Sequence, residues 1–532
     1  MQNMKKQFVF LTMILVALSA CAQSTMVTLT NGQAEGSLNN GIYTYKGIPY
    51  AQAERFMAPV APDSLEGVKK FNEYGQMSSQ AVMGFAQRQL NMGDNCQNLN
   101  VWTPAINDGG KRPIMVWLHG GGFQSGTANE EQTSGENLSK KGDVVVFSIN
   151  HRLNILGHLD LSAYGEKYRY SGNVGVLDIM EALRWIKRNA AAFGGDPENI
   201  TLFGESGGGA KIIVLNAAAS AHGLFQKGII ESGAVESLGM KVTEQPIARE
   251  VTETLLRLLD ITPERVDELQ HFNYQQLNAA GDEALREVAV KHGLKDGFNN
   301  PGNLSWAPVV DGDFLTQQPL DGSSLPLSRD VALILGTNLT EMNSMMMMFN
   351  PEFQNSNKST WSDAEKQERL KAQFGDKTDA VVAAFRKAYP DRDPIDALYV
   401  ESWIRSNTLK YLGVRAQEGG APVYSYMFEL DNPMNPLMMV PHTAEIPYVF
   451  NNLGKGMMAP PSTEVTQPVA DAMSQAWINF ARTGDPSTST LKWGAFTSER
   501  RATMIFGKKC EERVAFDDDL MKLLAPDYNF MP

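Results

Sequence analysis

Cysteine and histidine are scarce in this chain. Its 532 residues include three cysteines, at positions 21, 96 and 510, and seven histidines. A protein metal site needs several thiol or imidazole ligands close together, so we expect no metal centre. A disulfide between Cys96 and Cys510 stays open, because sequence alone cannot show whether two cysteines come within bonding distance. Two free thiols are the favoured interpretation.

Positive charge is also in short supply. Lysine and arginine total 47 against 60 aspartates and glutamates, which gives a net charge of −13 and a pI near 5.2. Nucleic-acid-binding proteins usually carry a basic patch, so a nucleic-acid partner is excluded. The acidic balance favours solubility and says little about fold or substrate.

Long apolar runs are missing, apart from one near the start. Residues 8–18 are apolar and follow Lys5 and Lys6. This run is too short for a mature membrane-spanning helix, and its basic flank is typical of a signal peptide. No later segment is long and apolar enough to cross a bilayer.

The end of this run indicates export. Its last letters, LSAC, place small residues directly before Cys21, which resembles the cleavage site of a bacterial lipoprotein. We predict a signal peptide over residues 1–20 and a lipid on Cys21. The expected location is the periplasm or outer membrane of a Gram-negative bacterium, with that lipid as the sole membrane contact. The alternative is an ordinary secretory signal cleaved near Ala22.

No repeat, low-complexity tract or linker divides the rest, so we predict one domain over residues 25–532. Short β-branched runs predict strands that alternate with helical segments such as residues 177–189, which favours an α/β fold with a mostly parallel sheet. Stretches near 240–300 and 350–415 are interpreted as helical insertions around the sheet. The predicted strands are 113–118, 143–149, 199–203, 331–335 and 423–428.

The sequence GESGG around Ser206 carries the clearest chemistry. A G-x-S-x-G turn places its serine on a sharp bend between a strand and a helix, with the hydroxyl exposed above the sheet. The predicted strand ends at Phe203, and a helix-compatible run begins at Gly208. We therefore predict that Ser206 is a nucleophile.

A second motif, HGGGF from His119, follows the predicted strand 113–118. It is typical of the oxyanion loop of esterases and lipases, in which glycines let backbone N–H groups approach a developing negative charge. We assign Gly121 and Gly122 as donors, together with the N–H of Gly207.

Chain order then selects a base. In hydrolases with this motif the order is serine, acid, histidine, and four histidines follow Ser206. His222 comes too soon to leave room for a strand and an acid, and His271 and His292 lie in a helical insertion. His442 follows the last strong strand in a proline-containing loop, so it is the predicted base.

The acid is expected in the loop after the preceding strand. That strand ends at Gly336, and Glu341 lies five residues beyond it. Asp311 lies before the strand in a tight turn, and Asp431 would share a loop with His442. Position therefore favours Glu341 over these two rivals.

These residues resemble the type-B carboxylesterases, the family of bacterial carboxylesterases and cholinesterases. The resemblance implies an α/β-hydrolase fold, a Ser-Glu-His triad whose glutamate falls on Glu341, and a structural ion pair between Arg55 and Asp94. The matching segments follow in the family's order: residues 47–51, 55–56, 95–102, 150–153, 193–197, 204–208, 308–312, 338–341, 442–448, 477–481 and 484–486.

The departures from this family matter too. Gly207 replaces the usual alanine, Met342 replaces a glycine, and Ser78 stands where a cysteine often pairs with the position of Cys96. No tryptophan lies between Ser78 and Cys96, although the cholinesterases use one there to bind quaternary ammonium. Choline esters are therefore rejected as the preferred substrate.

The expected reaction is cofactor-free hydrolysis of a small-molecule carboxylic ester through an acyl-enzyme on Ser206. Amide or peptide hydrolysis by the same triad is the alternative, and a non-catalytic binding module is a further one. Glu205 is expected either to tune His442 or to hold a structural hydrogen bond. The methionines near the acid and base suit either an adaptable apolar pocket or ordinary packing. They are Met342, Met345 to Met348, Met434, Met438 and Met439.

Overall fold

The structure is a computed structural model. The predicted signal peptide and Cys21 lie outside the residues that it describes. None of the helices it describes is long and apolar enough to cross a membrane. The described residues are 24–81, 90–234, 242–294, 304–319, 327–347, 350, 355–456 and 459–526.

The strands fall into one large sheet and two small ones. In chain order they are β1 (Met26–Leu29), β2 (Gly32–Glu35), β3 (Ser37–Asn39), β4 (Ile42–Pro49), β5 (Val68–Lys70), β6 (Asn98–Thr103), β7 (Arg112–Leu118), β8 (Val145–Ile149), β9 (Gly195–Glu205), β10 (Lys227–Glu231), β11 (Thr243–Glu244), β12 (Val309–Val310), β13 (Ala332–Asn338), β14 (Val423–Phe428), β15 (Ala502–Phe506) and β16 (Glu511–Val514).

The α-helices lie between and after these strands. They are α1 (Glu136–Gly142), α2 (Asn154–His158), α3 (Val174–Asn189), α4 (Gly207–Ala217), α5 (Gln245–Leu258), α6 (Tyr274–Lys291), α7 (Glu341–Met347), α8 (Asp363–Phe374), α9 (Thr378–Ala388), α10 (Trp403–Glu418), α11 (Ile446–Val449), α12 (Thr466–Thr483) and α13 (Asp518–Leu524).

The large sheet has a parallel centre and antiparallel edges. Its strand order is β16-β15-β14-β13-β10-β9-β7-β8-β6-β4-β3, and every pair from β15 to β8 is parallel. The central strands are almost entirely buried, as expected when helices cover both faces of a parallel sheet. The predicted α/β-hydrolase architecture is confirmed.

The register of the parallel strands brings their carboxyl ends together at one edge. Leu118 of β7 pairs with Gly204 of β9, and Glu205 pairs with Glu231 of β10. Further along, Asn338 of β13 pairs with Phe428 of β14. Open α/β sheets bind ligands at this edge, so the loops after these strands form the candidate site.

Most predicted elements are present, with one correction among the helices. The sequence predicts an insertion around the sheet for the segment 350–415, but α10 is the crossover helix that joins β13 to its parallel neighbour β14 and packs on both. Its two arginines next to the sheet are buried and paired: Arg405 binds Asp517, and Arg415 donates to the carbonyl oxygen of Val331. Buried, paired arginines hide the apolar pattern of a sheet-covering helix.

Two further expectations, an ion pair and two free thiols, are confirmed. Arg55 and Asp94 form an ion pair, with 3.0 Å between Nε and Oδ2. Cys96 and Cys510 are free thiols. Cys96 is buried with Ser78 as a hydrogen-bonding neighbour, and burial raises the pKa of Cys96 to about 12. The side chain at position 78 therefore lies where a bridging partner of Cys96 would lie.

Candidate active site

Ser206 lies in the turn between β9 and α4. Its backbone has φ 55° and ψ −121°, and its N–H donates to the carbonyl oxygen of Glu231 on the neighbouring strand at 2.7 Å. Such a conformation is costly for a residue with a side chain. The turn also requires glycine beside it, because a Cβ on Gly208 would lie 1.9 Å from the carbonyl oxygen of Leu118.

The HGGG loop packs directly against this turn. Gly121 and Gly122 have φ values of 84° and 62°, in the left-handed region that favours glycine. A Cβ on Gly207 would lie 2.4 Å from the nitrogen of Gly122, so the backbones of the two motifs are in contact. No described residue accepts a hydrogen bond from the N–H of Gly121, Gly122 or Gly207. The structure thus brings the three predicted donors together.

Glu341 and His442 come together from two different loops. Nδ1 of His442 lies 2.6 Å from Oε2 of Glu341. The loops are also joined through the backbone, because His442 N donates to Glu341 O at 3.1 Å and Glu341 N donates to Val440 O at 3.1 Å. An ionised carboxylate can only accept, so Nδ1 carries a hydrogen, and Nε2 is the acceptor when the imidazole is neutral.

The second oxygen of Glu341 is held just as firmly. Oε1 accepts from the hydroxyl of Ser232 and from the backbone N–H of Asn338, both at 2.6 Å. Glu341 is fully buried and has φ 42°. Three donors therefore fix one buried carboxylate, and its orientation in turn fixes the imidazole of His442.

Two more glutamates surround His442. Oε1 of Glu205 lies 3.2 Å from Nε2 of His442, and Glu445 accepts a hydrogen bond from Asn338 at 2.6 Å. Burial by itself lowers the pKa of His442, but the negative charges of Glu205 and Glu341 outweigh it and raise that pKa to about 10. Burial raises the pKa of Glu205, whereas the positive charge of His442 lowers it.

No hydrogen bond joins Ser206 to His442 among the described residues; the imidazole Nε2 faces Glu205 instead. Such bonds are often long or misaligned without substrate and tighten in the substrate complex. Ser206 and His442 are 9% and 8% exposed. Both remain accessible at the edge of the sheet, whereas Glu341 does not.

The rival acids are engaged elsewhere. Asp311 accepts from the side chain of Asn173 and from backbone N–H groups of its own turn. Asp431 binds Arg392. Neither contacts His442 in the described part of the chain, whereas Glu341 does.

Sequence reasoning missed Ser232 and Glu445. Ser232 follows β10, and its role depends on β10 lying between β9 and β13, which the sequence does not show. Glu445 is three residues after His442, and burial together with the charge of Glu341 raises its pKa to about 7. The only signal for Ser232 in the sequence was its place as a polar residue at the end of a strand, and Glu445 had none.

A small pocket opens beside His442. It has no methionine among its described lining residues. Met342, Met438 and Met439 are buried in the described interior and Met434 is exposed, while the side chains of Met346 to Met348 lie outside the described residues. The lining residues are Gln132, Phe428, Leu430, Asn432, Pro441, His442, Thr443, Ala444, Pro447, Tyr448 and Pro460.

The arrangement offers a hydroxyl, an imidazole oriented by a carboxylate, and backbone donors near the hydroxyl. Together these groups can perform acyl transfer. Within the described residues no cluster of three or more His, Cys, Asp or Glu side chains is placed to hold a metal ion.

Comparison with known proteins agrees with this chemistry. Residues 23–520 match the model of the carboxylesterase family. Para-nitrobenzyl esterase of Bacillus subtilis is 33% identical over 90% of this chain and 94% of its own, and phenmedipham hydrolase of Pseudarthrobacter oxydans is 30% identical over 94% and 97%. An esterase from anaerobic Clostridium hathewayi that can hydrolyse aliphatic aromatic polyesters superposes with a TM-score of 0.84 at 32% identity, covering 96% of this chain and 99% of that one.

Proposed function

The chain belongs to the carboxylesterase family and is a carboxylic ester hydrolase, and from that premise we propose that it acts through an acyl-enzyme on Ser206. Glu341 and His442 complete the triad. The observation that carries this proposal is the 2.6 Å bond between His442 Nδ1 and Glu341 Oε2, which leaves Nε2 as the acceptor on the side of the serine turn.

The first half of the reaction forms the acyl-enzyme. His442 Nε2 takes the hydroxyl proton of Ser206 as Oγ attacks the ester carbonyl carbon. The N–H groups of Gly121, Gly122 and Gly207 donate to the oxyanion that develops. When the tetrahedral intermediate collapses, the alkoxide leaves with the proton from His442.

The second half releases the acid. A water molecule gives its proton to His442 and attacks the acyl carbonyl, so that a second oxyanion forms at the same three donors. Collapse returns the proton to Ser206 Oγ and frees the carboxylic acid. Glu341 keeps the imidazole in the correct tautomer throughout.

Hydrolysis of p-nitrophenyl esters from acetate to decanoate, beside the matched p-nitroanilides, tests the proposal. We expect ester turnover, stoichiometric labelling by a fluorophosphonate, and an ester-to-anilide ratio well above one. Turnover of anilides at comparable rates would favour the amidase alternative. A folded protein that neither turns over nor reacts with the fluorophosphonate would overturn the acyl-enzyme and favour a binding role.

Replacing Glu205 by glutamine should move the acid limb of the kcat/KM profile to lower pH. His442 acts as a base only when it is neutral, and the charge of Glu205 raises its pKa. Loss of that charge lowers the pKa, and we expect a shift of about one pH unit. The measurement is a pH profile with p-nitrophenyl acetate.

Glu429→Gln is the matched control for this shift. Burial also raises the pKa of Glu429, but its neighbours are Arg513 and Arg392 rather than His442. Its profile should coincide with the wild-type profile. An acid limb that stays in place in the Glu205 variant would show that Glu205 does not tune the base.

Export as a lipoprotein is a further proposal, based on the apolar run over residues 8–18 and the small residues before Cys21. Expression of the full chain in a Gram-negative host with radiolabelled palmitate should label the wild type and not Cys21→Ser. An unlabelled, soluble wild-type product in the periplasm would favour an ordinary signal peptide cleaved near Ala22.

A further inference from the structure

Lys211 is a buried lysine behind the predicted oxyanion loop. It lies on α4, the helix that follows Ser206, and every residue of that helix is buried. Lys211 is the one charged residue in it and has 0% exposure. A lysine is rarely buried in full unless its charge has partners, so its contacts indicate what it does.

Those contacts are two carbonyl oxygens of the HGGG loop. Nζ of Lys211 donates to the oxygen of His119 at 2.9 Å and to the oxygen of Gly122 at 2.8 Å. No described carboxylate lies within ion-pair distance of it. Burial lowers the pKa of Lys211 to about 7, against the opposing charge of Glu205. Both contacts connect the helix of the nucleophile to the loop.

The remaining carbonyls of this loop are held as well. The oxygen of Gly120 contacts Nδ1 of His119 at 2.9 Å, and the oxygen of Gly121 accepts from the N–H of Ser125 at 3.0 Å. All four carbonyls of residues 119–122 thus have partners. In a trans peptide the N–H points opposite to the C=O of the preceding residue, so the bonds to the oxygens of Gly120 and Gly121 orient the N–H groups of Gly121 and Gly122. Lys211 holds the peptides on either side of these two.

We propose that Lys211 is a positioning residue of the oxyanion hole. Its amino group donates to the carbonyl oxygens of His119 and Gly122 and keeps the glycine peptides between them oriented, so that the N–H groups of Gly121 and Gly122 face the reacting carbonyl. Glycine peptides need such support because their backbone has few steric limits of its own.

The contact at Gly207 belongs to the same arrangement. Lys211 draws Gly122 against α4, and the space at Gly207 would not admit a Cβ, since that atom would lie 2.4 Å from the nitrogen of Gly122. The donors at Gly122 and Gly207 are therefore adjacent. One buried side chain on the nucleophile helix thus keeps two separate motifs at a fixed spacing.

This inference rests on the proposed esterase mechanism, and Lys211→Met tests it. Methionine fills similar space without donors. We expect kcat for p-nitrophenyl acetate to fall about 100-fold, as when catalytic groups are displaced by roughly 1 Å, with KM changed less than about threefold because ground-state binding does not use the hole. Lys211→Gln keeps two N–H donors and should recover activity to within about tenfold of wild type.

Two matched inhibitors distinguish a role of Lys211 in orienting the oxyanion hole from a general disturbance of the active site. A trifluoromethyl ketone adds Ser206 Oγ to its carbonyl carbon, passes the proton to His442 and places an oxyanion in the hole, whereas the matching alcohol forms no adduct. Affinity for the ketone should fall about 100-fold in Lys211→Met, in parallel with kcat, while alcohol binding stays within about threefold. Equal losses for both compounds would overturn the inference.

Lys227→Met is the matched control. Lys227 is also buried, and burial lowers its pKa to about 8, but it starts β10 at the opposite end of the sheet and binds Asn199. Its kcat should stay within about twofold of wild type. A folded Lys211→Met protein with wild-type kcat and wild-type affinity for the ketone would overturn the inference about Lys211 and leave the esterase mechanism unaffected. An inactive wild-type protein would overturn the esterase mechanism itself. If Lys211→Met does not fold, Lys211→Gln with reduced kcat and unchanged KM decides the question.

Discussion

Replacing Ser206 by alanine should lower kcat for p-nitrophenyl ester hydrolysis by about 10⁵- to 10⁶-fold, the loss typical of a nucleophile that works as a unit with its base. The turn that holds Ser206 survives the change, because its geometry comes from Gly204, Gly208 and the bond from the backbone N–H to Glu231. The variant should therefore fold normally, bind ester with a similar KM and lose its reaction with a fluorophosphonate.

Ser232→Ala is the matched control. Ser232 ends the neighbouring strand and also has a positive φ, of 50°, but its hydroxyl donates to Glu341 and not to the reacting centre. We expect a loss of about tenfold, in line with one charge-assisted hydrogen bond of about 1.5 kcal/mol, with fluorophosphonate labelling retained. Ester turnover that survives Ser206→Ala and disappears in Ser232→Ala would move the nucleophile to Ser232.

The two glycine-rich motifs could be predicted from the sequence because each depends only on consecutive residues. The turn at Ser206 and the loop from His119 each depend on consecutive glycines, and the structure shows why: a Cβ at Gly207 would collide with the backbone of Gly122, and a Cβ at Gly208 with that of Leu118. Short buried strands could be predicted for the same reason, because a β-branched run between glycine, proline or charged residues indicates a strand without any information on which strands lie beside it.

The contact between the distant residues Glu341 and His442 could be predicted only from the order of the strands along the chain. The choice of Glu341 over Asp311 and Asp431 rested on the rule that acid and base follow successive strand ends, and the structure brings Glu341 to His442. Ser232 donates to Glu341, and the charge of Glu341 raises the pKa of Glu445, but the sequence around Ser232 and Glu445 does not indicate these interactions. Those contacts arise from the sheet register.

Buried charge is the other feature that sequence patterns hide. Lys211 interrupts an apolar helix, and Arg405 and Arg415 interrupt another, so each weakens the pattern that would predict burial. Their partners are backbone carbonyls or an aspartate more than 80 residues away in sequence. A polar residue within an apolar run is thus informative in this fold, because a carbonyl or carboxylate must meet it.

Replacing Glu341 by glutamine should lower kcat by about 10³- to 10⁴-fold with little change in KM, as expected when the base is held in the wrong tautomer. The reason lies in the two oxygens of Glu341. Oε1 accepts from Ser232 and from the N–H of Asn338, so the amide oxygen of glutamine must take that place. Its NH₂ group then faces Nδ1 of His442, which requires the imidazole hydrogen to sit on Nε2, where the base must accept a proton.

Glu341→Asp and Asp431→Asn complete this test. Aspartate keeps the carboxylate acceptor on a shorter side chain, so the imidazole tautomer is again correct. We therefore expect kcat of Glu341→Asp to be at least tenfold higher than kcat of Glu341→Gln. Asp431, the alternative acid on the loop of His442, binds Arg392. The variant Asp431→Asn should therefore keep kcat within about threefold of the wild-type value. A glutamine variant with near wild-type kcat, or a larger loss in Asp431→Asn, would assign the acid elsewhere. Because both loops are tied through backbone bonds between Glu341, Val440 and His442, the glutamine variant should keep its fold, and the loss would then report the tautomer.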